Sequence, residues 1–319
     1  MSYAVSVILS THNPHRGRLK RTLQGVQSQT LASERWELVI VDNASSEPIY
    51  IAELAPRFGD NVVLTREERL GLKFGRLKGI AVATGAILVF IDDDNVMAPD
   101  YLENAVSIFQ RLPRLGLGGG KCSPQWEAGA PPHWVTESYA NLALRDFGEE
   151  EKLASGTAPP SYPNCAPIGA GMIARREALK SWIANAGTPG APMGRRGTEL
   201  TSAEDCDIVM LALRDGWQVG YFPELALTHL IPQARVTREY LGRLNYGIAK
   251  SWVEVLARHG IYPWPPATRW SVPLRKARAY FHHRGWAGPA QYVRWKGACG
   301  QFDGRAGIGC LRETRSASA

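Results

Sequence analysis

At 319 residues, 45% hydrophobic and 21% charged, the chain is long enough for one large domain or two ordinary ones, and its composition excludes a disordered, collagen-like or coiled-coil protein. No apolar run approaches the ~20 residues needed to cross a bilayer; the longest, Ala81–Ile91, is broken by Thr84 and Gly85. The net charge of +7 is unevenly placed: residues 1–230 hold 22 Lys and Arg against 26 Asp and Glu, whereas residues 231–319 hold 15 against 4.

The chain opens on a strand pattern (Val5, Val7, Ile8, Leu9), which leaves no room for a basic-then-apolar signal peptide. Further short apolar or β-branched runs at Glu37–Asp42, Asn61–Thr65 and Ala86–Asp92 predict strands. Helical spacing lies between them, at Leu19/Leu23/Val26, at Ile51/Leu54/Ala55/Phe58, and from Leu72 to Ala83. This alternation predicts an α/β fold with a mostly parallel central sheet, whose ligand crevice lies beyond the carboxyl ends of the strands. Three polar clusters fall at those ends: Thr11-His12-Asn13-Pro14, Asp42-Asn43-Ala44-Ser45 and Asp92-Asp93-Asp94-Asn95. From Leu115 the pattern loosens, and Gly118-Gly119-Gly120, Pro124, Pro131-Pro132 and Pro159-Pro160 predict long loops. A strand is predicted within Pro167–Arg176, a helix at Ala203–Asp215, a strand at Trp217–Phe222 and a long helix at Thr237–His259. Five cysteines, at 122, 165, 206, 299 and 310, form no C-x-x-C pair, which predicts reduced thiols in a cytoplasmic protein.

Asp92-Asp93-Asp94 closes an apolar strand, where three adjacent carboxylates repel one another unless a cation offsets them. Alternate residues of a strand point the same way, so Asp92 and Asp94 can face one Mg²⁺ or Mn²⁺. The plainer alternative is an acidic turn capping a helix near Pro99. Asp42 can accept from a ribose hydroxyl or a base N–H, or form an Asx turn. Arg76, and less strongly Lys73, can reach a diphosphate or remain surface charges. Glu204-Asp205 opens a helix, where acidic residues are favoured by the macrodipole; the functional alternative is a general base within reach of an acceptor hydroxyl. His229 follows a strand-like run and is a third metal ligand, a phosphate contact or a structural histidine; the case for His12 is weaker. Gly169-Ala170-Gly171 is either a close approach for substrate or a tight turn. No G-x-G-x-x-G, P-loop, G-x-S-x-G or H-E-x-x-H is present.

Taken in order, Val5–Asn13, Leu38–Ser45, Gly71–Gly85, Phe90–Asp94, Gly169–Leu179 and Glu204-Asp205 resemble glycosyltransferase family 2 over roughly residues 3–230. The resemblance implies a GT-A catalytic domain at 1–230, with a nucleotide-sugar half at about 1–122 and an acceptor half at about 123–230. It implies inverting transfer of a sugar from a nucleoside diphosphate donor, UDP being the commonest, to an acceptor hydroxyl in cell-surface polysaccharide or glycoconjugate assembly. Thr11, Asn13 and Asp42 would line the nucleoside pocket, with Arg76, Asp92 and Asp93 also at the donor. Asp94, Asp92 and His229 would hold Mg²⁺ or Mn²⁺, and Asp205, with Glu204 beside it, would be the base. The chain departs from the family's Ala-Arg-Asn at Gly75-Arg76-Leu77, and from a frequent fourth acid at Asn95. It also lacks the Q-x-x-R-W motif of processive synthases. A nucleotidyltransferase and a catalytically silent sugar-nucleotide or glycan binding protein are the alternatives.

Residues 231–319 predict a helical or irregular, basic, Trp-rich extension. Between residues 260 and 296, Trp264, Trp270, Trp286 and Trp295 interleave with seven Lys or Arg. That suits either the surface of an anionic membrane, which would make a cytoplasmic protein peripheral on the inner face, or a packed subdomain. No nucleic-acid-binding module is recognisable.

Overall fold

The computed structural model describes residues 3–50, 58–188, 191–192, 194–195 and 200–316, with side chains through residue 308. The chain divides into two compact units: Met1–Gln125, Ala143–Gly197 and Glu204–Ile231 form one, and Trp126–Leu142, Thr198–Ala203 and Pro232–Ala319 the other. Residues 126–142 and 198–203 therefore group with the C-terminal helices rather than with the strands around them.

The strands are β1 (Val5–Thr11), β2 (Trp36–Asn43), β3 (Val62–Glu67), β4 (Ile87–Ile91), β5 (Asn95–Met97), β6 (Leu115–Gly119), β7 (Cys122–Trp126), β8 (Lys152–Ala154), β9 (Met172–Arg175), β10 (Gln218–Tyr221) and β11 (Leu227–Ile231). Eight of them make one sheet in the order β3-β2-β1-β4-β9-β6-β10-β8, and β5-β11-β7 make a small second sheet. The β3-β2-β1-β4 half is parallel, as predicted. Beyond it the sheet is mixed, because β9 runs antiparallel to both β4 and β6 and β8 runs antiparallel to β10.

β1 and β2 are buried along their whole length, which is why they read as nearly continuous apolar runs. Their buried polar residues are matched to each other. Ser6 Oγ donates to Glu37 Oε1 at 2.6 Å, and the same oxygen accepts from Thr84 N at 2.6 Å and Thr84 Oγ1 at 2.8 Å. The helices of this unit are α1 (Arg16–Gln27), α2 (Leu72–Val82), α3 (Tyr101–Arg111), α4 (Lys180–Asn185) and α5 (Glu204–Arg214). α2 lies directly on β1: a Cβ built on Gly79 would sit 2.4 Å from Cγ2 of Ile8, itself 1% exposed. Gly79→Ala is expected to cost about 1–3 kcal/mol by overpacking, seen as a lower urea midpoint at an unchanged slope.

The triple glycine predicted as a loop instead enters β6, where Gly118 is needed for packing: its Cβ would stand 3.0 Å from both Ile173 and Phe222. The helical spacing at Ile51/Leu54/Ala55 lies outside the described residues. In the C-terminal unit the long helix expected at Thr237–His259 is α6 (Arg238–Arg258), and the rest of the extension is helical too, with α7 (Val272–His282) and α8 (Pro289–Ser316). The glycines of α8 form a seam against α6, with a Cβ at Gly300 only 2.1 Å from Tyr246 O and one at Gly304 2.8 Å from Lys250 O. Among the described residues, no helix is long and apolar enough to cross a membrane.

Candidate active site

The parallel register brings the first three polar clusters to one edge of the sheet, pairing Thr11 with Asp42 and Leu9 with Ile91. Asp42 is buried, and each of its oxygens has a partner. Oδ1 accepts from Ser45 N at 3.0 Å, the Asx turn, and Oδ2 takes Nη1 of Arg66 at 2.6 Å. Arg66 also donates to Ser45 O at 3.1 Å and to Glu68 at 2.8 Å. Nothing in the sequence singles out Arg66 until the β2–β3 register sets it opposite Asp42. Asn13, at φ 48°, laces the two loops together: its N donates to Ser45 Oγ and its Oδ1 accepts from Ser46 N and Oγ, all at 2.9 Å. A groove of about 260 Å³ opens beside these loops, walled by Asn13, Pro14, Ser46, Pro48, Ile49 and Tyr50. His12 has a local task, its Nδ1 lying 2.8 Å from Asn43 O.

Thr11 donates its hydroxyl to Asp93, tying the middle carboxylate of the triplet to β1. Asn95 organises the outer two. Its Oδ1 accepts from Asp92 N and its Nδ2 donates to Asp94 Oδ1, both at 3.2 Å. An acid at this position could not make the second bond, since an ionised carboxylate only accepts. The β5–β11 pairing sets Asn95 opposite His229, whose Nε2 comes 3.5 Å from Asp94 Oδ2. Asp94 and His229 are both buried, while Asp92 is half-buried. Among the described residues no three His, Cys, Asp or Glu side chains are grouped to hold a metal ion, so the expected trio of Asp92, Asp94 and His229 is not assembled as one cluster. The Asp94–His229 pair still fits Mg²⁺ or Mn²⁺, cations that commonly take one or two protein ligands and complete their shell with substrate phosphates and water.

A second cluster forms where α2 meets the start of α5. Arg76 is buried, with Nη1 3.5 Å from Glu204 Oε1 and its guanidinium 5.5 Å over the Phe90 ring. Gly169 leaves room for it, since a Cβ there would sit 2.6 Å from Arg76 Nη2. The glycine turn thus admits a guanidinium, and its backbone also holds Asp205: Gly169 N donates to Asp205 Oδ2 at 3.0 Å, while Cys206 N donates to Oδ1 at 3.0 Å. Asp205 is half-buried and Glu204 fully so. Burial pushes the Glu204 carboxyl up from 4.5 to about 7, against the pull of Arg76. Its Oε2 has no hydrogen-bond partner. Burial works against the charge on Arg76, but Glu204, Asp92 and Asp205 more than offset it and hold the group above its ordinary value. Lys73 is neither a surface charge nor a free cation: it is buried and donates to Ala186 O at 2.8 Å.

Glycosyl transferase family 2 matches the chain over residues 6–156, and Glycosyl transferase family group 2 over residues 87–289. The chain is 26% identical over 244 residues to the glucosyl-dolichyl phosphate glucuronosyltransferase of Haloferax volcanii, covering 74% of this chain and 72% of that one. It is 30% identical over 154 residues to the glycosyltransferase AglE of the same organism, covering 47% of this chain and 49% of that one. Two solved structures share the fold. The mannosyltransferase PcManGT from Pyrobaculum calidifontis, in complex with GDP-Man and Mn²⁺, has a TM-score of 0.55 at 20% identity, covering 100% of this chain and 81% of that one. S. aureus TarS 1–349, in complex with UDP, has a TM-score of 0.52 at 17% identity, covering 94% and 90%. The longer family match takes in both carboxylate clusters and most of the sheet that positions them, and on it the chain belongs to glycosyltransferase family 2, as a glycosyltransferase of the GT-A fold.

Proposed function

We propose that this glycosyltransferase inverts the anomeric carbon of a nucleoside diphosphate sugar in one in-line displacement onto an acceptor hydroxyl, within polysaccharide or glycoconjugate assembly. The observation that carries the reading is Asp205: a half-buried carboxylate fixed by two backbone N–H groups at a helix start, beside a buried guanidinium and two further carboxylates. In the step, Asp205 takes the acceptor proton as the acceptor oxygen bonds to the anomeric carbon. The bond from that carbon to the phosphate oxygen breaks, and its electron pair leaves with the nucleoside diphosphate. Asp94 and His229 would hold Mg²⁺ or Mn²⁺, a cation that would supply positive charge to offset what gathers on the diphosphate. Family membership sets aside the nucleotidyltransferase reading.

The Asp42–Arg66 pair can meet a uracil base. It places an acceptor and a donor side by side, the complement of an N–H next to a C=O on uracil. Guanine (N1–H beside O6), cytosine (N4–H beside N3) and adenine (N6–H beside N1) offer the same donor-and-acceptor order, so GDP, CDP and ADP are the competitors to test. The acceptor is proposed to be a glycan or a lipid-linked hydroxyl at the cytoplasmic face of a membrane, with the enzyme peripheral there. One relative's name specifies a dolichyl phosphate-linked glucose.

Thermal shifts against a panel of UDP, GDP, CDP and ADP sugars with Mn²⁺, followed by proton NMR of the product's anomeric configuration, test the reading. A UDP sugar giving the inverted anomer is expected, and a retained anomer overturns it. Asp94→Ala is expected to remove the gain in UDP affinity that Mn²⁺ confers, by about tenfold or more. Calorimetric titrations with Mn²⁺ and with EDTA check this, and an undiminished Mn²⁺ effect takes Asp94 out of the metal site.

A further inference from the structure

Helix α7 of the C-terminal unit carries large apolar side chains on its outward face as well as apolar residues on its inward one. Val272 and Ala279, seven residues apart, turn inward, each 7% exposed. The outward face carries Leu274 and Phe281, also seven apart, at 73% and 67% exposed. Trp270, in the turn that leads into the helix, is 81% exposed, and Trp286, in the turn that follows, is 56% exposed. Four large apolar side chains exposed along one helix and its flanking turns, with the Phe281 and Trp286 rings 5.8 Å apart, are the pattern of a surface made to be covered.

The surroundings identify what covers it. No Asp or Glu occurs between Val255 and Phe302, against eight Lys or Arg. Arg275, Arg278 and Arg284 are exposed beside the apolar row. Beneath the row lies a groove of about 560 Å³ walled by Tyr280, Trp286, Tyr292 and Trp295, with Arg238 and Lys276 at its side. Lys276 Nζ lies 2.8 Å from Asp303 Oδ2, and Arg238 lies 4.2 Å from the Tyr292 ring centroid and 3.5 Å from Glu239. A protein partner of ordinary composition would leave the exposed Arg275, Arg278 and Arg284 unmatched. A second copy of the chain would set like charge against like. An anionic bilayer satisfies both features at once, since aromatic rings settle at the headgroup level while Arg and Lys meet lipid phosphates.

We propose that α7 lies in the headgroup layer of an anionic phospholipid bilayer, with Trp270, Leu274, Phe281 and Trp286 inserted and the flanking arginines on the phosphates. The surface lies wholly within the C-terminal unit and stands whether or not the sugar-transfer chemistry is as proposed above.

The test is co-sedimentation of the full-length chain with vesicles of phosphatidylcholine alone or with about 30 mol% phosphatidylglycerol. Binding to the anionic vesicles only, reversed by about 0.5 M salt, is expected. Leu274→Ser with Phe281→Ser should weaken it at least tenfold, and so should Arg275→Glu with Arg278→Glu. These side chains are exposed, so the variants keep the fold, and UDP affinity measured on the same samples should be unchanged. Equal binding to both vesicle types, or no loss in either double variant, overturns the proposal. So does a dimer in solution, in place of vesicle binding, that the variants dissociate. Loss of UDP binding in the wild type would instead count against the transferase reading and leave this one standing.

Discussion

Asp205→Asn is expected to lower the turnover of sugar transfer by about 10²–10⁴-fold, the usual worth of a general base, while donor affinity stays within about twofold. The asymmetry follows from where Asp205 sits. Its two oxygens accept from Gly169 N and Cys206 N, which fix the carboxylate and leave lone pairs for one more proton. Asn has the same shape and can still accept one of those bonds, so the start of α5 keeps its place. It has no free carboxylate to receive the acceptor's proton. The residues proposed to meet the donor, at Asp42, Arg66 and Asp94, are held by other partners: Ser45, Glu68 and Asn95. A coupled assay for released nucleoside diphosphate, with calorimetry of UDP binding, separates the two effects. Donor affinity lost in step with turnover would make Asp205 a binding residue and remove it as the base.

The strands that read most plainly from the sequence are those covered on both faces. β1, β2 and β4 are unbroken apolar runs because burial leaves no solvent face to mark with polar residues. Their polar ends stand out for the same reason. β6 is obscured by Gly118, which belongs there only because Ile173 and Phe222 fill the space above it. Such glycines read as breaks until the neighbour is known. The same holds for α8: Gly300 and Gly304 resemble loop composition, yet they are what lets α6 and α8 backbones approach.

The candidate site divides along the same line. Thr11, Asp42 and the Asp92–Asp94 triplet were legible because strand ends announce themselves. Three features were not. Arg66 becomes a partner of Asp42 only through the β2–β3 register, and His229, named from its place after a strand-like run, is seen to reach Asp94 only through the pairing of β5 with β11. The depth of Lys73 goes with Ala186, far along the chain, whose carbonyl accepts its hydrogen bond. Each is a long-range pairing, which local pattern does not carry.

Arg76→Ala is expected to cost about 3–5 kcal/mol of stability above neutral pH, the penalty for stripping one partner from a buried ion pair, and markedly less in mild acid. Both side chains are closed off from water, Arg76 at 5% and Glu204 at 3% exposed. Burial raises Glu204 to about 7 from 4.5, so its protonated form favours the folded state. That contribution is complete below about 4.5 and is lost as the pH climbs through 7. The guanidinium limits the loss by pairing with the ionised form. Without it the carboxyl titrates higher still, and above neutrality a bare charge must be buried or the fold given up. At about pH 5 Glu204 is already mostly protonated, and the substitution removes chiefly packing and one hydrogen bond. Urea unfolding of the wild type, Arg76→Ala, Glu204→Gln and the double variant at about pH 5 and pH 8 tests this. Glu204→Gln should recover much of the loss at the higher pH and little at the lower, because an amide has no charge to strand. An Arg76→Ala penalty that is the same at both pH values would mean that Arg76 serves packing and does not hold the Glu204 charge.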